Sequence, residues 1–138
     1  MPRILLVDDD PDILETLRYS FEHAGFEVET AADGRAALQA ARRSEPALAV
    51  LDVMLPEMNG YEVSRTLKQE MRAGSLASFP ILIVTARRVA SAARQEFLAT
   101  WSQADATLWK PFDLATLMNH ARRLLAVAPA GAPGGGRE

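Results

Sequence analysis

The sequence predicts a doubly wound α/β layer: a five-stranded parallel sheet with five helices. Three observations carry that expectation. Strand-like apolar runs alternate with helix-periodic segments five times along the 138 residues. Two of the runs, "ALAVL" and "ILIV", show no polar alternation, as expected of parallel strands covered on both faces. The helical segments fall between the strands, where each parallel pair needs a right-handed crossover.

The first run, Arg3–Val7, is followed by a segment in which Ile13, Leu14, Leu17, Phe21 and Ala24 share one helical face. Gly25 terminates that helix. Glu27–Ala31 is the second strand, followed by a second helical interval and then the third strand, Ala47–Leu51. The third helix is expected after "PEMNGYEV", where Asn59-Gly60 supplies a turn. Pro80–Val84 is the fourth strand, and the fourth helix, around Val89 to Ser102, is Ala-rich with weak periodicity. Ala106–Trp109 closes the sheet, and Leu114, Leu117, Met118, Ala121, Leu124 and Leu125 stripe the last helix. One folded domain over residues 1–127 is expected, with residues 128–138, from the Gly/Pro-rich tail "APAGAPGGGRE", disordered.

Composition narrows the function classes. Hydrophobic residues make up 49% and charged residues 24%, an ordinary globular balance. A formal net charge of -3 gives no general attraction to nucleic acid or to an anionic membrane. No apolar run approaches the ~20 residues of a membrane span, and nothing at the start reads as a signal peptide. With no cysteine, disulfides, thiolate metal sites and thiol nucleophiles are excluded. The expectation is a soluble cytoplasmic protein.

In open α/β sheets, functional groups collect at the carboxyl ends of the strands. Here the first strand runs into Asp8-Asp9, the third into Asp52, the fourth into Thr85 and the fifth into Lys110. Asp10 before Pro11 reads as a helix cap, and Asp12 suits the positive end of the helix dipole. One cap explains one aspartate. Asp8 and Asp9 beside Asp52 repel one another at neutral pH unless a cation intervenes. Carboxylates without nearby cysteine or histidine select a hard cation, and Mg²⁺ is the natural candidate. The alternative is a merely solvated acidic edge. A metal there would suit phosphoryl transfer, with Lys110 and Thr85 contacting further phosphoryl oxygens. Singly, each has a plain structural explanation: Lys before proline as a solvated loop residue, and Thr as a good strand former.

Together, "ILLVDDDPDI", "LAVLDVMLPEMNGYEV", "ILIVTAR" and "LWKPF" resemble the receiver domain of bacterial two-component response regulators. The likeness runs from about Arg3 to Val127. It implies a flavodoxin-like sheet in the order 2-1-3-4-5. It also implies that Asp52 accepts a phosphoryl group from a sensor histidine kinase or phosphotransfer protein. Asp8 and Asp9 then match the acidic pair that organises Mg²⁺, with Asp9 the direct ligand. Met54 stands where the family uses a backbone carbonyl as metal ligand. Thr85 matches the hydroxyl residue that follows the phosphate, Lys110 the family's lysine, and the Lys110-Pro111 bond is expected cis, which costs little before proline. The implied output is altered binding to a downstream protein around the fourth helix, fifth strand and fifth helix, with a phosphorylation-linked dimer among the partners. Such a protein is a signalling acceptor that promotes its own phosphorylation and slow dephosphorylation, and is not counted as an enzyme.

Three departures stand out. Thr107 replaces the aromatic residue usual three positions before the lysine; either Trp109, on the same strand face, partly fills that role, or the aromatic switch is absent. The intervals from Asp52 to Thr85 and from Thr85 to Lys110 are each a few residues longer than usual. No effector domain is visible, so the chain reads as a stand-alone receiver or as part of a longer regulator, the first preferred. Two rivals remain: a phosphate-independent pseudo-receiver, and a haloacid-dehalogenase-type phosphatase with Asp8 as nucleophile, against which Asp12 and the short chain argue. His23 and His120 read as surface residues, Arg87 and Arg88 as loop residues, with Arg87 placed to affect water access to the site. Trp101 reads as a packing aromatic.

Overall fold

The computed structural model describes residues 2–86 and 91–126. The elements alternate as expected: β1 Arg3–Val7, α1 Pro11–His23, β2 Glu27–Ala31, α2 Gly34–Ser44, β3 Leu48–Asp52, α3 Gly60–Ala73, β4 Ile81–Ala86, α4 Ala92–Ser102, β5 Ala106–Lys110 and α5 Leu114–Ala126. All strand pairs are parallel, in the order β2-β1-β3-β4-β5. No helix among the described residues is long and apolar enough to cross a membrane.

Side chains alternate across a strand, so the sheet divides the core in two. Leu5, Val7, Ala49, Leu51, Ile81 and Ile83 face α2, α3 and α4. Ile4, Leu6, Leu48, Val50, Leu82 and Val84 face α1 and α5, where Phe21, Leu117 and Ala121 cover them. Both faces of β3 are buried along its whole length, which explains its unbroken apolar run.

Several boundaries differ from the expectation, each for a local reason. β3, β4 and β5 run one or two residues further than the hydropathy suggests, because Asp52, Thr85 and Lys110 still pair in the ladder: Asp52 with Val84, Thr85 with Trp109, and Ala86 with Lys110. α3 begins at Gly60, inside "PEMNGYEV". Asn59 accepts from the Glu62 backbone at 2.9 Å while Glu62 reaches back to the Asn59 N–H at 3.0 Å, a capping box that starts the helix there. α4 begins at Ala92, with Ser91 as its cap. Val89, Ala90, Arg87, Arg88 and the 128–138 tail lie outside the described residues. Asp10 caps α1 as expected, accepting from the Asp12 N–H at 2.9 Å.

The C-terminal end of α4 is tied to α3. Ser64 donates to the Ser102 carbonyl at 2.9 Å, and Arg65 donates to the Trp101 carbonyl at 2.8 Å. The Arg65 guanidinium also sits 4.7 Å above the Trp101 ring, which packs on the core as the sequence suggests. His23 lies on the outer surface of α1, stacked on Tyr19.

Candidate functional site

Strand parity decides which side chains meet at the carboxyl edge. Asp8, Asp52 and Lys110 continue the faces of Leu6, Val50 and Leu108, on the α1/α5 side of the sheet. Thr85 has the opposite parity and faces α3 and α4, as does its ladder neighbour Trp109.

Asp8 and Asp52 are buried, at 5% and 4% exposure, whereas Asp9 is exposed. Each of the three offers a carboxylate oxygen, and these atoms lie within 4.8 Å of one another. Lys110 Nζ stands 3.4 Å from Asp52 Oδ1 and 3.6 Å from Asp8 Oδ2, so one ammonium is shared between two carboxylates. Asp8 Oδ1 accepts from the Asp10 backbone N–H at 2.9 Å. Asp52 Oδ1 is buried and has no partner in hydrogen-bond geometry, Lys110 being close but poorly aligned.

Electrostatics follow from that arrangement. Burial is the largest influence on Asp52 and raises its pKa above the ordinary 3.8. The Asp8 charge adds to the rise, while the Lys110 ammonium and a hydrogen bond from the Met54 backbone only partly offset it. Burial likewise raises Asp8 above the ordinary value, against the Asp10 hydrogen bond and Lys110. The source of the desolvation is identifiable: Leu6, Ile13, Leu14, Val84 and Phe112 wall a small apolar pocket adjoining Asp8, Asp52 and Lys110. One lysine does not neutralise three carboxylates. An all-oxygen donor set with a buried, unpartnered oxygen fits a hard divalent cation, so the residues present are suited to Mg²⁺.

The remaining expected residues are placed as follows. The Met54 side chain is 53% exposed, compatible with a role confined to its backbone. Thr85 is buried at 4% exposure beside the Asp52–Val84 ladder pair. The Lys110-Pro111 bond is cis. Sequence reasoning passed over Tyr61, which is 5% exposed and packs in the buried cluster with Ile83. The signal available was the only aromatic residue of "NGYEV", two positions after the helix cap.

A five-stranded, doubly wound domain with an acidic pocket and one lysine at the carboxyl edge defines a class, and comparison with known proteins gives the family. A sequence model of the response regulator receiver domain matches residues 4–122. The DNA-binding dual master transcriptional regulator RpaA of Synechocystis sp. is 38% identical over 125 residues, covering 91% of this chain and 49% of that protein. The alkaline phosphatase synthesis transcriptional regulatory protein PhoP of Bacillus subtilis is 37% identical over 134 residues, covering 95% and 51%. This chain therefore spans about half the length of those relatives. Among solved structures, the signal receiver domain of a signal transduction histidine kinase from Syntrophus aciditrophicus superposes with a TM-score of 0.82 at 28% identity, covering 100% of this chain and 98% of that one. A CheY-like receiver domain protein from Methanospirillum hungatei gives 0.78 at 30% identity, covering 91% and 94%. The chain belongs to the response regulator receiver domain family of two-component systems.

Proposed function

We propose that Asp52 is the phosphoacceptor of a signalling switch, modified by a sensor histidine kinase or phosphotransfer protein in the cytoplasm. The supporting observation is a buried carboxylate, Asp52, held at the sheet edge by Lys110 and crowded by Asp8, itself buried, and by Asp9. In the transfer, an Asp52 oxygen attacks phosphorus, the bond from phosphorus to the donor group breaks, and an acyl phosphate forms. Asp8, Asp9, Asp52 and the Met54 carbonyl would hold Mg²⁺, which supplies positive charge against the phosphoryl oxygens. Lys110 brings a second positive charge, and the Thr85 hydroxyl is the donor for a further oxygen. The new group adds charge and acceptors at one edge, biasing the loops after β3, β4 and β5 between two arrangements. The relatives spanned to about half their length are named as transcriptional regulators, which supports an output carried by another domain or protein.

Incubating the protein with Mg²⁺ and acetyl phosphate, then mapping the modified residue, tests this reading. One phosphoryl group on Asp52, lost in Asp52→Asn, is the expected result. Label on Asp8 would favour the phosphatase chemistry, and no label from any donor would favour a phosphate-independent module.

The cation makes a separate prediction. Millimolar Mg²⁺ should raise the melting temperature of the wild type, because a ligand that binds only the folded state stabilises it by mass action. Asp9→Asn should weaken that rise with little change in metal-free stability, since Asp9 is exposed. A scanning-fluorimetry titration reads both.

A further inference from the structure

We propose that Ser64 and Arg65 of α3 are positioning residues for the switch: they cap the C-terminal end of α4 from outside and make it a fixed pivot, so that α4 rearranges at the end nearest Asp52. The inference deepens the reading of Asp52 as phosphoacceptor and rests on it.

The last four carbonyls of a helix have no partner within it. In α4 these belong to Ala99, Thr100, Trp101 and Ser102, and each of them is met. Ser102 Oγ donates to the Ala99 carbonyl at 2.7 Å. The Gln103 N–H donates to the Thr100 carbonyl at 3.1 Å, with Gln103 in the left-handed conformation that closes many helices. The other two carbonyls are satisfied from α3: Arg65 Nη1 donates to Trp101 at 2.8 Å, and Ser64 Oγ donates to Ser102 at 2.9 Å. α4 has no basic residue in its own last turn, so the Arg65 guanidinium also supplies the positive charge that a helix C-terminus favours.

The attachment continues past the helix. Lys68 Nζ donates to Asp105 Oδ2 at 2.6 Å, and the same oxygen accepts from the Ile81 N–H at 2.7 Å. The α4–β5 connection is thereby tied to α3 and to the first residue of β4, at the sheet edge opposite Asp52. The two ends of α4 are held very differently. Ser64 and Ser102 are wholly buried, and Ser102 is the one buried residue among the described side chains of α4. Leu98, Ala99 and Trp101, which pack on the core, also lie in its second half. Toward its start, Ala93, Arg94, Glu96 and Phe97 are exposed. A helix of 11 residues is marginal by itself, so its C-terminal attachment is what holds α4 in place. A change at the carboxyl edge enters α4 at its first turn, about 16 Å from the far end at 1.5 Å per residue, and tilts the helix about Ser102.

Amide exchange of the whole chain, read residue by residue by NMR, tests the pivot. Without metal, Arg65→Met keeps the side-chain stem over Trp101 and removes the guanidinium, and should speed exchange of Thr100 to Ala104 about tenfold, the value of one charge-assisted hydrogen bond. Ser64→Ala should speed the same amides about fivefold. Amides of β1 should be unchanged in both, which a general loss of stability would not allow. Beryllium fluoride with Mg²⁺, an acyl-phosphate mimic, should alter exchange in the wild type at Glu96 and Phe97 and leave Thr100 to Ala104 as they were; in either variant the response should spread to Ala104. Unchanged exchange at Thr100 to Ala104 in both variants, or a wild-type response that already extends to Ala104, would overturn the proposal while leaving Asp52 as acceptor. A wild type that responds to beryllium fluoride at no amide and takes no label at Asp52 would instead remove the acceptor reading, and with it the switch that the pivot serves.

Discussion

Gly60→Ala should lower the melting temperature by roughly 10 °C, the largest loss expected from a glycine-to-alanine change among the described residues. The added Cβ would lie 2.3 Å from the Asp52 carbonyl oxygen, 2.9 Å from its carbon and 3.0 Å from Val53 Cα. All three neighbours are backbone, so no side chain can rotate away. Either β3 must shift at its last residue or the start of α3 must lift, losing the 3.1 Å bond from Gly60 to Val53 and straining the Asn59–Glu62 box. Overpacking of this kind costs about 3 kcal/mol. Gly34→Ala is the natural comparison. Its Cβ would meet the Met58 carbonyl at 2.4 Å, but Met58 lies in the β3–α3 connection, which has more room to yield. The Gly60 variant should therefore be the more damaged of the two, and should also label more slowly at Asp52, because the displaced backbone carries that carboxylate. Melting by circular dichroism checks the first point; equal, small shifts in both variants would show that the β3–α3 junction is soft.

The same junction shows where sequence reading succeeds and where it stops. β1 and β2 have the expected bounds, since their apolar or alternating runs end where pairing ends. β3, β4 and β5 read short because their last ladder residues are the polar groups of the site, and hydropathy treats Asp52, Thr85 and Lys110 as outside the sheet. Their convergence was nonetheless legible, because the topology brings strand ends together whatever residues they carry. Asn59-Gly60 looked like a turn, and only the reciprocal Asn59–Glu62 bonds reveal a helix start. Burial was not legible: nothing in the order of residues says that Asp8 is enclosed while Asp9, its neighbour, is exposed. Tyr61 escaped for a related reason. An aromatic at a helix start reads as core, which it is, and its place beside Ile83 of β4 depends on packing across a gap of more than twenty residues.

Asp52→Asn should stabilise the metal-free protein at neutral pH by about 1 kcal/mol, or roughly 3 °C, although it removes the proposed acceptor. The attraction of Lys110 at 3.4 Å opposes this, but burial and the Asp8 charge outweigh it, and the Asp52 carboxyl is held above its ordinary 3.8. A group that binds its proton more tightly folded than unfolded stabilises the fold fully below the unfolded value. That contribution is lost as pH rises through the folded value. At pH 7 the wild type therefore carries a buried charge that the amide does not, and Lys110 keeps Asp8 as a partner at 3.6 Å in the variant. On acidification toward pH 4 the wild-type carboxyl takes up its proton and the advantage of the variant should shrink. Saturating Mg²⁺ should shrink it too, by stabilising the wild type more than the variant, because the variant has lost one of three charged oxygen donors. Chemical denaturation across pH 4 to 8, with and without Mg²⁺, measures all three trends. A variant less stable than the wild type at pH 7 without metal would mean that the Lys110 pairing dominates the pocket and that the crowding of carboxylates is not what prepares Asp52 for a cation.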